Sequence, residues 1–203
     1  MTPVRAVVFD IGGVLVEWDP RRLYRTMFDD PDAMEDFLAT VVTDEWNATL
    51  DAGRSFAEAV AELVARHPER AAEISAYHER WPEMLGDAVP GTAELVAELR
   101  SAGVPVYALT NFSGETFPLA RKRFGFLGDF DGVLVSGQEG VVKPDPAIYA
   151  LAAQRFGLEP AATLFVDDRR DNVEAARRAG WHAEVFTDAP ALRRHLRAAG
   201  LLG

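Results

Sequence analysis

The 203-residue sequence predicts an α/β fold, a parallel sheet with helices on both faces. Three observations lead there. Short apolar runs recur along the chain. Amphipathic stretches of helical length separate them. The runs are mostly continuous rather than alternating, which is the pattern of strands buried on both faces. Strands separated by helices join a parallel sheet through crossover connections.

The first expected strand covers residues 4–9. It closes on Asp10 and is followed at once by Ile11-Gly12-Gly13-Val14. The carboxyl end of a parallel strand is where ligands bind. A carboxylate placed there serves as a metal ligand, a nucleophile or a turn cap. The two glycines let main-chain N–H groups approach a ligand closely. Four more strands are expected at residues 104–109, Gly132–Val135, 163–166 and 183–186. Helices are expected at Thr92–Ser101, residues 115–124, Pro146–Phe156, and residues 172–179 and 189–199.

One stretch, from about residue 19 to residue 85, breaks this alternation. Helix-start signals recur there instead. Asp19-Pro20 and Asp30-Pro31 each set a capping carboxylate before a proline suited to the first helical position. Ser55-Phe56-Ala57-Glu58 is a capping box. Gly53 and Gly86 are placed to end helices. A helical block therefore interrupts the sheet after its first strand, with hinges at residues 17–19 and 86–91. The expected organisation is a core domain of residues 1–17 and 87–203, with a helical cap domain of residues 18–86 over the Asp10 loop.

Composition narrows the function. Hydrophobic residues make up 48% of the chain, enough for a packed core. The formal net charge of -11 repels nucleic acid and anionic membranes. With no cysteine there are no disulfides, zinc–thiolate sites or thiol chemistry. No apolar stretch reaches membrane-spanning length and no signal-peptide run opens the chain, so a cytoplasmic location is expected. His67, His78, His182 and His195 show no metal-ligand spacing.

Three further segments stand at or near strand ends. Thr110-Asn111 offers a hydroxyl and an amide, suited to a phosphate oxygen or to capping the next helix. Lys143, before Pro144-Asp145-Pro146, is either a solvated surface cation or one aimed inward at an anion. Asp167-Asp168 closes the run Leu164-Phe165-Val166. Two adjacent carboxylates repel each other unless a positive group lies beside them. A hard divalent cation such as Mg²⁺ takes oxygen ligands from such a pair and keeps room for a phosphate. In the helical block, Trp18, Arg21, Arg22, Trp46 and Arg54 suit sugar or phosphate recognition. The competing expectation is that the tryptophans pack the block and the arginines face water.

Taken in order, Phe9-Asp10-Ile11-Gly12-Gly13-Val14-Leu15, Leu109-Thr110-Asn111, Lys143-Pro144 and Val166-Asp167-Asp168 through Asn172 resemble the four motifs of the haloacid dehalogenase-like hydrolase superfamily. The resemblance spans essentially the whole chain, and the helical block is similar to the type 1 cap. The most similar branch holds sugar-1-phosphate phosphatases and the N-terminal phosphatase domain of soluble epoxide hydrolases. The resemblance implies a three-layer, Rossmann-like core and a phosphatase acting through an aspartyl-phosphate. It implies Asp10 as nucleophile, and Mg²⁺ held by Asp10, the Gly12 carbonyl and Asp168. Asp167 would reach the metal through water, and Asn172 would orient the acidic loop. Thr110 and Lys143 would bind the transferring phosphoryl oxygens. Gly12, Gly13, Asn111, Arg22 and Trp18 would complete the substrate site. The expected partner is a small phosphorylated metabolite, with the chain a monomer or homodimer.

One position departs from the pattern. Most phosphatases of the superfamily carry a second Asp two residues after the nucleophile, and here that residue is Gly12. General acid–base catalysis is worth about 10²–10⁴-fold. Glu17, Asp19 or another residue of the helical block would have to supply it, or the substrate would need a good leaving group. The alternatives are a non-catalytic phospho-ligand-binding protein and a metal-independent 2-haloacid dehalogenase. The acid pair argues against the second, because the resembling dehalogenases replace it with neutral residues.

Overall fold

Seven strands follow one another: β1 (Ala6–Phe9), β2 (Val16–Trp18), β3 (Leu85–Ala88), β4 (Val106–Thr110), β5 (Gly132–Val135), β6 (Thr163–Asp167) and β7 (His182–Val185). The computed structural model describes residues 2–203. Five strands make one sheet in the order β5-β4-β1-β6-β7, with every neighbouring pair parallel. The chain builds outward from β1 to one side through β4 and β5. It then returns to the other side through β6 and β7. That reversal next to β1 opens a crevice at the carboxyl ends of the strands. Phe9 stands level with Ala108 of β4 and Val166 of β6. The residues that follow these three strands are therefore neighbours in space.

The apolar runs behave as two-sided strands. Val7 and Phe9 pack into one hydrophobic cluster, and Val8 between them packs into the other. Among the described residues, eleven α-helices cover the sheet and fill the insertion. Five precede β3: α1 (Arg21–Tyr24), α2 (Pro31–Thr40), α3 (Asp44–Asp51), α4 (Phe56–Arg66) and α5 (Ala71–Glu79). Six follow it: α6 (Thr92–Ser101), α7 (Phe117–Arg123), α8 (Ser136–Glu139), α9 (Pro146–Phe156), α10 (Arg170–Arg178) and α11 (Ala189–Ala198). Leu95 and Leu99 of α6 and Leu192 and Leu196 of α11 seal the first face. Ile148 and Tyr149 of α9 and Val173 and Ala176 of α10 seal the second. These are the three layers the sequence predicts.

The α1–α5 block is built as its punctuation dictates. Asp30 accepts the Asp32 N–H, Thr43 that of Trp46 and Ser55 that of Glu58, each closing a helix N-terminus. Its interior is aromatic. Tyr24 meets Phe37 edge-on at 5.1 Å, and Trp46 meets Tyr77 at 5.0 Å. Pairs of this geometry add about 0.5–1.5 kcal/mol beyond their buried area.

Two short strands were not expected. β2 and β3 pair antiparallel as a ribbon apart from the main sheet, carrying the chain into and out of the helical block. β2 is only three residues, too short for any periodicity to register. β3 reads Leu-Gly-Asp-Ala, with two residue types depleted in strands. Gly86, expected to end a helix, instead lies inside β3. A Cβ there would stand 2.5 Å from the Glu17 side chain across the ribbon. Among the described residues no helix is long and apolar enough to cross a membrane.

Candidate active site

Asp10 leaves β1 with its N–H still bound to Val166 O on β6 at 2.8 Å, which fixes where the carboxylate begins. Its Oδ1 accepts from the Ile11 N–H at 2.7 Å and from Lys143 Nζ at 2.8 Å. The same ammonium reaches Asp167 Oδ2 at 2.7 Å and lies over the Phe165 ring at 5.4 Å. Lys143 is thus an inward-pointing cation held between two carboxylates. Asn111 grips its main chain in both directions, donating to Lys143 O at 2.9 Å and accepting from Lys143 N at 2.8 Å. Asn111 thus positions Lys143 while itself lining the cavity.

Asp167, last residue of β6, is fully buried. Its Oδ1 takes the Arg169 N–H at 2.8 Å, and Asn172 Nδ2 lies 3.0 and 3.1 Å from its two oxygens. Asn172 is anchored in turn, because its carbonyl accepts from Tyr149 Oη at 2.8 Å. Asp168 turns the other way, toward the Asp10 loop. Gly13, at φ +73°, makes room for it. A Cβ at Gly13 would stand 2.4 Å from Asp168 Oδ2, so both conformation and space require glycine there.

Charge is crowded in this corner. Oxygens of Asp10, Asp167 and Asp168 converge to within 4.8 Å of one another. Burial pushes the Asp10 carboxyl above its usual range; Lys143 opposes the shift and Asp167 adds to it. Burial likewise raises Asp168, with Asp167 adding to the effect. Burial disfavours the Lys143 charge, but Asp10 and Asp167 outweigh it and raise its pKa. One ammonium thus faces three carboxylates, all hard oxygen donors. The cluster fits a divalent cation such as Mg²⁺, which would relieve the repulsion that raises Asp10 and Asp168. Beside it the Thr110 hydroxyl, at the end of β4, is buried without a hydrogen-bond partner. An orphaned donor there suits a ligand oxygen.

A cavity of about 310 Å³ opens above these groups. Asp10, Gly12, Gly13, Asn111, Lys143, Asp168 and Asn172 line its floor, and Trp18 of β2 lines a wall. Thr110 and Asp167 sit just beneath. Arg22, expected at the site, is elsewhere. It lies on the outer surface with Arg25 and Glu83, its Nη1 3.4 Å from Glu17 Oε2. Its guanidinium lies beside Gly86 of β3, and it does not line the cavity. The other arginines and the second tryptophan follow the competing expectation. Arg21 pairs with Glu35, Arg54 with Glu62, and Trp46 packs on Tyr77. Asp19 accepts the Arg21 N–H at 3.0 Å, capping α1, and neither it nor Glu17 lines the cavity.

The roof holds residues the sequence reading passed over. Asp44, Asn47, Ala48 and Asp51 of α3 all face the cavity, joined by Phe56 and Trp81. Their spacing along α3 is three, four and seven residues, one helical stripe opposite buried Trp46 and Leu50. That stripe was the available signal, and it reads equally as a solvent face.

A family model described as haloacid dehalogenase-like hydrolase matches residues 4–180. The chain belongs to that family. Among relatives of this hydrolase, a sesquiterpene phosphatase of Aspergillus oryzae is 30% identical over 197 residues, covering 97% of this chain and 96% of its own. A solved HAD-like family hydrolase from Porphyromonas gingivalis is 25% identical with a TM-score of 0.73, covering 97% of this chain and 99% of its own. A HAD family enzyme of Bacteroides thetaiotaomicron, solved with magnesium and inorganic phosphate, shares the fold at 20% identity and a TM-score of 0.70, covering 91% and 95%.

Proposed function

We propose that this hydrolase cleaves the phosphate monoester of a small metabolite, with Asp10 as nucleophile and Mg²⁺ as cofactor. The observation that carries the reading is the buried cluster in which Lys143 bridges Asp10 and Asp167 while Asp168 converges from the side. A phosphate monoester brings close to two negative charges to a carboxylate nucleophile, so the site must supply positive charge. Asp10, Asp168 and the Gly12 carbonyl would hold Mg²⁺, which when bound neutralises phosphoryl charge. Lys143 supplies a second cation and keeps Asp10 aligned through its Oδ1. The Thr110 hydroxyl and the Gly12 N–H take phosphoryl oxygens, the Gly13 N–H being held by Val16 O at 3.0 Å. Asp10 attacks phosphorus, the ester oxygen departs, and water then splits the aspartyl-phosphate.

The acid pair favours this reading over metal-free attack on carbon, which would leave Asp168 and Asp10 without a shared cation. Glycine at position 12 favours the second reading, a phospho-ligand-binding protein that does not turn over. One experiment separates them: phosphate release from p-nitrophenyl phosphate and a sugar-phosphate panel, with Mg²⁺ or with chelator. Metal-dependent release, lost in Asp10→Asn, supports the phosphatase. Binding of phosphate esters without release supports the binding protein. Halide release from a 2-haloacid in chelator would replace both.

A further inference from the structure

Expelling an alcohol from phosphorus requires a proton for its oxygen, and the loop after Asp10 has no group to give one. Position 12 is glycine, and a Cβ built there meets nothing within 4 Å, so no packing demand explains the missing side chain. We propose that Asp51, carried in by the helical insertion, is the general acid and base of this active site. The proposal rests on the phosphatase reading above.

Asp51 lines the same cavity as Asp10 and Lys143, but from the roof. Its place is set by the core rather than by its own helix alone. The Ser136 hydroxyl donates to Asp51 O at 2.6 Å while accepting from the Phe112 N–H at 2.9 Å. Just beyond, Gly53 at φ +98° passes so close to the α8 backbone that a Cβ would lie 2.9 Å from Gly137 O. The carboxylate is oriented too. Asn47 Nδ2 donates to Asp51 Oδ2 at 3.1 Å, and buried Tyr77 donates to Asn47 Oδ1 at 2.7 Å, fixing which way that amide faces.

Two comparisons single Asp51 out. Asp44 shares its stripe but sits at the opposite end of α3, about 10 Å up the helix axis. Asp10, Asp167 and Asp168 converge with one another, whereas Asp51 is not part of that group. Among the described residues no cation forms an ion pair with Asp51. Lys143, Asp10, Asp168 and Arg169 face the cavity from the core, and Asp44 and Tyr77 stand near Asp51 within the insertion. In that setting burial pushes its carboxyl up to about 7, with Lys143 and Asn47 pulling the other way. A group titrating near neutrality is suited to both giving and taking a proton.

The steps balance as follows. Asp10 Oδ bonds to phosphorus as the P–O ester bond breaks. The departing oxygen keeps the electron pair and takes the proton of the Asp51 carboxyl. In the second step Asp51 carboxylate takes a proton from water, whose oxygen bonds to phosphorus. The bond from phosphorus to Asp10 breaks, and phosphate leaves with both aspartates restored.

The test varies the leaving group. Wild type, Asp51→Asn and Asp10→Asn are compared with Mg²⁺ on p-nitrophenyl phosphate, whose leaving group needs no proton, and on an alkyl phosphate. Asp51→Asn is expected to release about one nitrophenolate per site in a burst. It then turns over about 10²–10⁴-fold more slowly, as phosphate accumulates on Asp10. On the alkyl ester no burst is expected. Gly12→Asp added to Asp51→Asn is expected to recover steady turnover at least tenfold. Asn47→Ala, which frees the carboxylate without removing it, is expected to lose about tenfold with the same substrate bias. It decides the matter if Asp51→Asn fails to bind beryllium fluoride with Mg²⁺. Turnover of both esters within threefold of wild type, or equal losses on both without a burst, overturns the role of Asp51. A wild type that releases no phosphate from any ester, or an Asp10→Asn that still does, overturns the phosphatase reading itself.

Discussion

The floor and the roof of the cavity are held by different forces. On the floor, a charge network ties Lys143 to two aspartates, Asp167 to Asn172 and the Arg169 N–H, and Asn111 to the Lys143 main chain, with the Thr110 hydroxyl left open. On the roof, aromatic packing does most of the holding, and the polar chain is a single file from Tyr77 through Asn47 to Asp51. A floor locked by charge tolerates little change, because removing one partner strands another in a buried place. A roof held by ring packing, with one polar file, tolerates changes in the side chains that meet a substrate. The contrast separates a charge-locked floor from a ring-packed roof that brings Asp51 to the same cavity.

The largest break should come at the floor. Asp10→Asn removes the proposed nucleophile, and turnover is expected to fall by about 10⁴-fold or more, read as phosphate release with Mg²⁺. Lys143→Met leaves Asp10 and Asp167 facing each other without their cation. It is expected to cost about 3–5 kcal/mol in urea unfolding, well beyond a surface lysine change.

The roof should respond in a way pH reveals. Burial holds the Asp51 carboxyl at about 7, above its unfolded range, so between about pH 4 and 7 the folded state binds more protons than the unfolded one. That contribution is complete below pH 4 and is lost as pH rises through 7. Relative to Asp51→Asn, the metal-free wild type is therefore expected to lose up to about 4 kcal/mol across this window, measured by denaturant unfolding at each pH. Tyr77→Phe strands Asn47 Oδ1 and should cost least, about 1–2 kcal/mol. A Tyr77→Phe loss as large as that of Lys143→Met would dissolve the distinction between them.

Much of the fold was legible because continuous apolar runs leave few alternatives to buried parallel strands. α6 and α9 lie within the bounds read from sequence, and the five sheet strands differ by at most two residues at an end. β2 and β3 escaped because three or four residues carry no period. At the site, Asp10 and Asp168 were legible from their positions after strands and Lys143 from the rigid turn it precedes, and they meet at one cavity. Arg22 does not reach the cavity because nothing in sequence says which face of the short helix α1 will turn outward. The hold of Asn111 on a main chain 32 positions away could not be read from sequence. Asp51 was invisible for a related reason. Its significance depends on Ser136, 85 positions away, pinning the end of α3 against the core.

Val16 and Ala88 stand opposite each other across the ribbon, so the chain departs from the sheet and rejoins it at one place. Seventy-one residues leave through a doorway two strands wide. The proposed proton donor Asp51 and the side chains that would meet a substrate are therefore inherited on one uninterrupted stretch of gene. A different helical block spliced between the same two neighbours would find its ends already at the right spacing. It would bring its own proton donor along with its own diet.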